Sequence, residues 1–223
     1  MHYEGNIIRP PSEASSILLQ VTVGCSHNKC TFCGTYEKRP FKIKSREIIE
    51  SDVDYAARHF QQQRRLFLCD GDAMVVPQAR LIEILDLIND RLPWVTRVGA
   101  YANARCLKRK SLDDLRELRS RKLRIVYMGL ESGDDQTLER IQKSADAEMM
   151  IREGQKVREA EMKLSITVLL GLAGPERSDE HAKGTGRVLT AIDPDYVGAL
   201  SLMLLPGTPL FNDHADGRFT LLD

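Results

Sequence analysis

With 223 residues, 32 basic side chains against 32 acidic ones and 42% hydrophobic content, the chain is sized and balanced for a single α/β domain in water. No apolar stretch approaches the roughly 20 residues that a bilayer requires, and the even charge builds in no long-range attraction to nucleic acid or to an anionic membrane. Met1 to Asn6 show no basic segment leading into an apolar one, so no secretory signal is read and the cytoplasm is the expected compartment.

In chain order, the apolar run 17–23 predicts a first strand, followed at once by Cys25, Cys30 and Cys33 within nine residues. An amphipathic helix is expected over 45–63, with Ile48, Ile49, Val53, Ala56, Ala57 and Phe60 on one face. A strand at 66–69 ends in Cys69 and runs into Asp70-Gly71-Asp72. A helix over 77–90 opens at Pro77, and the strand 95–101 precedes Asn103. Ser111, with Asp114 three residues later, marks the start of a helix over 111–120. The remaining strands are expected at 124–130, 163–170 and 196–203, with helices at 146–160, at 179–191 and past 210. Most of these strands are short apolar runs rather than alternating patterns, which predicts burial on both faces. One domain over 1–223 is expected, with its C-terminal part cut short.

Repeated strand–helix units with right-handed crossovers give either an open doubly wound sheet or a barrel, and periodicity does not choose between them. Both place active groups at the carboxyl ends of the strands. The cysteine loop occupies that position after the first strand.

Five cysteines, three clustered and two isolated at Cys69 and Cys106, fit metal binding in a reducing compartment better than a disulfide framework. Three thiolates on one short loop can hold three irons of a cubane cluster and leave the fourth open. Zinc is the rival, with His27 completing a four-donor shell, although structural zinc sites draw their ligands as two pairs from separate segments. The five histidines show no paired helical spacing, and His27 reads as a polar loop residue. Cys69 reads as a buried free thiol and Cys106 as structural.

The stretch Cys30-Thr31-Phe32-Cys33, preceded by Cys25, resembles the cluster loop of the radical S-adenosylmethionine superfamily, with one extra residue in the first spacing. That resemblance spans nearly the whole chain and implies a partial (βα)6 TIM-type barrel of parallel strands. Asp70-Gly71-Asp72 stands where the family carries a Gly-Gly-Glu-like motif. Gly129-Leu130-Glu131-Ser132-Gly133 is similar to a signature of the methylthiotransferase and oxygen-independent coproporphyrinogen dehydrogenase branch, as is Pro206-Gly207-Thr208-Pro209.

The resemblance implies that Cys25, Cys30 and Cys33 ligate a [4Fe-4S] cluster and that its open iron binds S-adenosylmethionine. Phe32 would pack beside the cluster, and Asp70, Gly71 and Asp72 would meet the methionine amine. Asn103 and Glu131 would contact the cofactor, Lys143 its carboxylate, and Gly171 would let the backbone approach the adenine. A reductant such as flavodoxin or ferredoxin would supply one electron, and the resulting 5′-deoxyadenosyl radical would take hydrogen from an unassigned substrate. Two other readings stay open. One is a non-catalytic zinc- or cluster-binding protein; the other is an RNA-modifying relative, resting on the arginine-rich segment from Arg116 to Arg124.

Overall fold

The computed structural model describes residues 1–36 and 39–222. Its strands are β1 (Ile17–Leu19), β2 (Thr22–Val23), β3 (Lys42–Ile43), β4 (Arg65–Leu68), β5 (Arg97–Ala102), β6 (Leu123–Glu131), β7 (Lys163–Leu170) and β8 (Tyr196–Ser201). Its helices are α1 (Arg46–His59), α2 (Gln78–Arg91), α3 (Ala104–Leu107), α4 (Leu112–Ser120), α5 (Asp135–Arg140), α6 (Ala147–Glu159), α7 (Ser178–Ile192) and α8 (Pro209–Ala215).

Six strands form one parallel sheet in the order β1-β4-β5-β6-β7-β8. A doubly wound sheet reverses its strand order at a switch point. Here spatial order follows chain order throughout, which decides between the two architectures left open by periodicity: the sheet is a partial barrel. The expected first strand is shorter than its apolar run. Gln20 leaves the sheet to hydrogen-bond Asp70 and the Glu4 backbone, and Thr22–Val23 pairs with Lys42–Ile43 as a separate antiparallel ribbon.

Local chemistry sets the helix starts. Ser45 accepts from the Ile48 amide, Ser111 and Asp114 form a reciprocal capping box, and Asp134, Asp146 and Thr208 each accept from an amide three residues on. The apolar faces of α1, α2, α4 and α6 pack on the outside of the sheet. Val53, Leu81, Leu85, Ile88, Leu115 and Val157 are fully buried there, each worth about 1.5–3 kcal/mol of transfer free energy.

The inside of the barrel is filled by Phe67, Cys69, Ile125 and Tyr127, with Tyr101 edge-on to Phe67. Its base is plugged by the N-terminal segment. Glu13 is fully buried and accepts from Arg97, Ser16 and the Tyr127 hydroxyl. Gly99 lets Ile125 and Phe67 pack above the plug, since a Cβ there would meet them at 3.0 Å and 3.1 Å.

β8 departs from the expectation of burial on both faces. All six of its residues are exposed, with Tyr196 and Leu200 about half open to solvent. The reason is geometric. β8 is an edge strand paired only with β7, and the chain after it turns toward the cysteine loop instead of returning over the sheet.

Candidate functional site

Gly24, in the left-handed region at φ 79°, turns the chain out of β2 into the cysteine loop. The extra residue between Cys25 and Cys30 is absorbed by a second left-handed residue, Asn28 at φ 45°, whose side-chain Nδ2 donates to the Tyr36 carbonyl at 3.1 Å. Asn tolerates that conformation better than most side chains. His27 Nε2 lies 2.6 Å from the Gln142 carbonyl and Ser26 Oγ donates to Asp72 at 2.5 Å. Behind the loop, the Thr31 amide donates to the Ile141 carbonyl at 3.0 Å, and the Leu210 amide, in the first turn of α8, donates to the Thr31 carbonyl at 2.9 Å. The Pro206-to-Pro209 element thus has a place: Thr208 caps α8, and α8 buttresses the loop between its second and third cysteines.

All three loop cysteines are free, partly exposed and open into one cavity of about 390 Å³ at the carboxyl ends of the strands. That size suits a small-molecule cofactor. Phe32, Gly71, Asn103, Glu131 and Lys143 share its wall, and Ile8, Tyr101, Tyr127, Thr167, Leu169 and Leu200 complete it. Gly71 admits the loop: a Cβ there would come within 2.9 Å of the Cys25 Cβ and of the Tyr36 ring.

Glu131 and Lys143 form the charged pair of this wall, Nζ to Oε1 at 2.9 Å with each side chain 12% exposed. Glu131 sits at φ 64° beside a break in the β6–β7 register, so the strand end is bent to present it. Burial is the largest influence on Lys143 and opposes its charge, but the Glu131 carboxylate together with Cys30 and Cys25 outweighs it, and the ammonium is held more firmly than in water. Burial pushes the Cys30 thiol up to about 11, against the pull of Lys143.

The residues expected from sequence separate into two groups. Cys25, Cys30, Cys33, Phe32, Gly71, Asn103, Glu131 and Lys143 meet around the cavity. The carboxylates of Asp70 and Asp72 do not: both residues are fully buried, and their side chains turn into the protein. Asp70, at φ 73°, is bonded to Gln20, and Asp72 to Ser26, Asn103 and Cys106. Neither carboxylate is on the lining: Asp72 has donors on both oxygens behind the wall, while Asp70 is bonded through Oδ2 to Gln20 and its Oδ1 is buried without a partner. Gly171, at φ 83°, lies beyond the end of β7 and off the lining. Cys69 is fully buried, as expected of a free core thiol.

The donor set fits a cubane cluster better than a single ion. One zinc needs its ligands gathered about one point at 2.0–2.3 Å, and among the described residues no three His, Cys, Asp or Glu side chains gather so closely. A cluster takes thiolates at separate irons, which suits three cysteines spread along one loop on one wall.

The Radical SAM superfamily matches residues 19–188. The chain belongs to it. An uncharacterised protein of Methanocaldococcus jannaschii is 24% identical over 220 residues, covering 93% of this chain and 66% of that protein. Among solved structures, the radical S-adenosylmethionine methyltransferase of Kitasatospora setae, determined with cobalamin and a [4Fe-4S] cluster bound, superposes with a TM-score of 0.74 at 16% identity, over 91% of this chain and 39% of that one. Coproporphyrinogen III oxidase from Escherichia coli gives 0.66 at 17%, over 93% and 48%. The chain therefore spans less than half of those two enzymes, and the likeness establishes the radical SAM fold.

Sequence reading of this radical SAM core missed Ser26, Gln20 and Ile8, which act through partners far along the chain. For Ser26 the signal available was its place beside Cys25. Three arginines of the basic segment are paired on the surface: Arg116 with Asp113 and Glu159, Arg119 with Glu161, and Arg121 with Asp86 and Glu117.

Proposed function

We propose that the chain is a radical S-adenosylmethionine enzyme whose Cys25, Cys30 and Cys33 hold a [4Fe-4S] cluster, with S-adenosylmethionine in the cavity beside it. The observation that carries this reading is the opening of three free cysteines of one loop into the same cavity as the Glu131–Lys143 pair, at the carboxyl ends of a parallel partial barrel.

When bound, and given one electron by a reductant such as flavodoxin or ferredoxin, the cluster and S-adenosylmethionine supply a 5′-deoxyadenosyl radical for hydrogen abstraction. The chain's own residues do the rest. Phe32, half-buried among Leu138, Ile141, Leu172 and Leu210, walls the cysteine loop against water. Lys143 offers a cation to the cofactor carboxylate, with Glu131 fixing its position. Gly71, with no Cβ, lets Cys25 and Tyr36 close against the end of β4, so that the cysteine loop sits directly on the cavity wall. Tyr101 and Tyr127 form a floor, and the Tyr127 hydroxyl is turned down to Glu13 at 2.6 Å, which leaves its ring facing the cavity. The RNA-modifying reading is not favoured, since Arg116, Arg119 and Arg121 of the segment behind it are paired with acids.

Anaerobic reconstitution with iron and sulfide, then reduction with S-adenosylmethionine present, tests the proposal. The expected result is 5′-deoxyadenosine in the native chain and none in Cys30→Ala, with the visible absorbance of the cluster lost as well. Bound zinc in place of iron, or an intact cluster in Cys30→Ala, would overturn it.

A further inference from the structure

Asp72 spends its carboxylate inside the protein. Ser26 Oγ donates to Oδ2 at 2.5 Å, Asn103 Nδ2 to the same oxygen at 2.6 Å, and the Cys106 thiol to Oδ1 at 2.7 Å. A fully buried carboxylate with three donors has its hydrogen-bonding needs met. Those donors come from two places, the residue adjoining the first loop cysteine and the turn where β5 enters α3. Asn103 is itself anchored, since its Oδ1 accepts from the Cys106 amide at 2.9 Å. Asp72 therefore joins a rigid strand end to the start of the cysteine loop.

We propose that Asp72 is a positioning residue, which acts through Ser26 to fix Cys25 in a ligand-ready conformation before any metal arrives. The physical need is clear. Four residues separate Cys25 from Cys30, and each residue left free in the metal-free loop would have to be ordered at the moment of binding. His27 and Asn28 are restrained toward Gln142 and Tyr36, and the Asp72 bond is the one made at the residue next to Cys25. What the loop receives rests on the proposed function above; the restraint of the loop does not.

The test has two arms, applied to the native chain, Ser26→Ala, Asp72→Asn and the double variant. In the first, the metal-free chain is treated with iodoacetamide and the rate at each cysteine is read by mass spectrometry. Ser26→Ala is expected to raise the Cys25 rate up to about tenfold, the factor that loss of one buried hydrogen bond gives, with cooperative unfolding kept and the melting temperature lowered by about 2–4 °C. Asp72→Asn should add nothing further at Cys25 in the Ser26→Ala background. In the second, the chains are reconstituted with iron and sulfide, and the electron paramagnetic resonance of the reduced cluster is expected to broaden in Ser26→Ala.

A Cys25 rate unchanged by Ser26→Ala would overturn the proposal. So would a large additional rise in the double variant, or an Asp72→Asn chain with the native Cys25 rate and weakened S-adenosylmethionine binding, which would make Asp72 a cofactor contact. Should the native chain take no cluster, the proposed function fails, and the alkylation arm still decides the role of Asp72.

Discussion

Replacing Glu131 with glutamine removes one charge from the cavity wall and leaves the side chain's shape. Lys143 then keeps an amide oxygen to donate to, but loses its counter-ion at 2.9 Å in a site where each partner is 12% exposed. Removing one partner of a fully buried pair costs about 3–5 kcal/mol. Access to water through the cavity lowers this, so we expect about 2 kcal/mol, or about 4–8 °C in melting temperature for a chain of this size. Glutamine inherits the left-handed φ of 64°, so the backbone strain cancels from the comparison and the measured loss reports the charge. The assay is thermal unfolding of the metal-free chain for Glu131→Gln, Lys143→Met and the double variant. Removing both charges should recover much of the loss, because an apolar replacement of a buried pair is often close to neutral. A coupling below about 0.5 kcal/mol, the limit of ordinary additivity, would refute the claim that these residues stabilise one another. In the cluster-loaded chain, Glu131→Gln should also weaken S-adenosylmethionine binding about tenfold, the effect of one lost charge-assisted bond.

Three further outcomes can be checked by unfolding and by metal retention. The guanidinium of Arg177, bonded to Asp134 at 2.7 Å, together with Thr137, holds the Asp134 carboxyl down at about 2, below its unfolded value of 3.8. Its stabilisation is complete above that unfolded value and is lost as pH falls through about 2, so Arg177→Met should destabilise the chain near neutrality and have almost no effect near pH 2. An equal deficit at both pH values would contradict the linkage. Gly184 of α7 lies against the β6–α5 turn so closely that a Cβ would sit 2.6 Å from the Gly133 carbonyl oxygen; Gly184→Ala should cost about 2–3 kcal/mol through overpacking, and a neutral result would mean that the helix stands farther off. Thr208→Val removes the α8 cap and should lower stability by about 1 kcal/mol. Because α8 bonds the Thr31 carbonyl, the variant should also release iron faster to a chelator, and native retention would show that the helix does not support the loop.

Periodicity and punctuation in the sequence carry most of the scaffold, because the inner sheet strands and the major helices each bury a face that their own residues define. Ser111 with Asp114 marks α4 by a contact only three residues long, and a contact that short can be read directly. The limits fall where the partner lies elsewhere. The apolar run 17–23 reads as one strand, yet Gln20 is drawn out by Asp70, fifty residues on, and divides it. β8 has the composition of a buried strand and stands exposed, because burial depends on whether a later helix returns over it, and α8 goes to Thr31 instead.

The site divides in the same way. Its donors can be read from residue type, spacing and place at the strand ends, since the thiols and the Glu131–Lys143 pair reach the cavity from elements that the sequence defines. Its supports cannot. Asp70 and Asp72 look like ligand carboxylates by position, and only the contacts Gln20–Asp70 and Ser26–Asp72 reveal that they face inward. The acid at residue 72 therefore carries two meanings in sequence, ligand or brace, and burial separates them: a carboxylate with no exposed surface and three internal donors has already used the charge that a ligand would need. For this barrel, the residues that bear the chemistry announce themselves one at a time, while those that position them exist as such only in pairs.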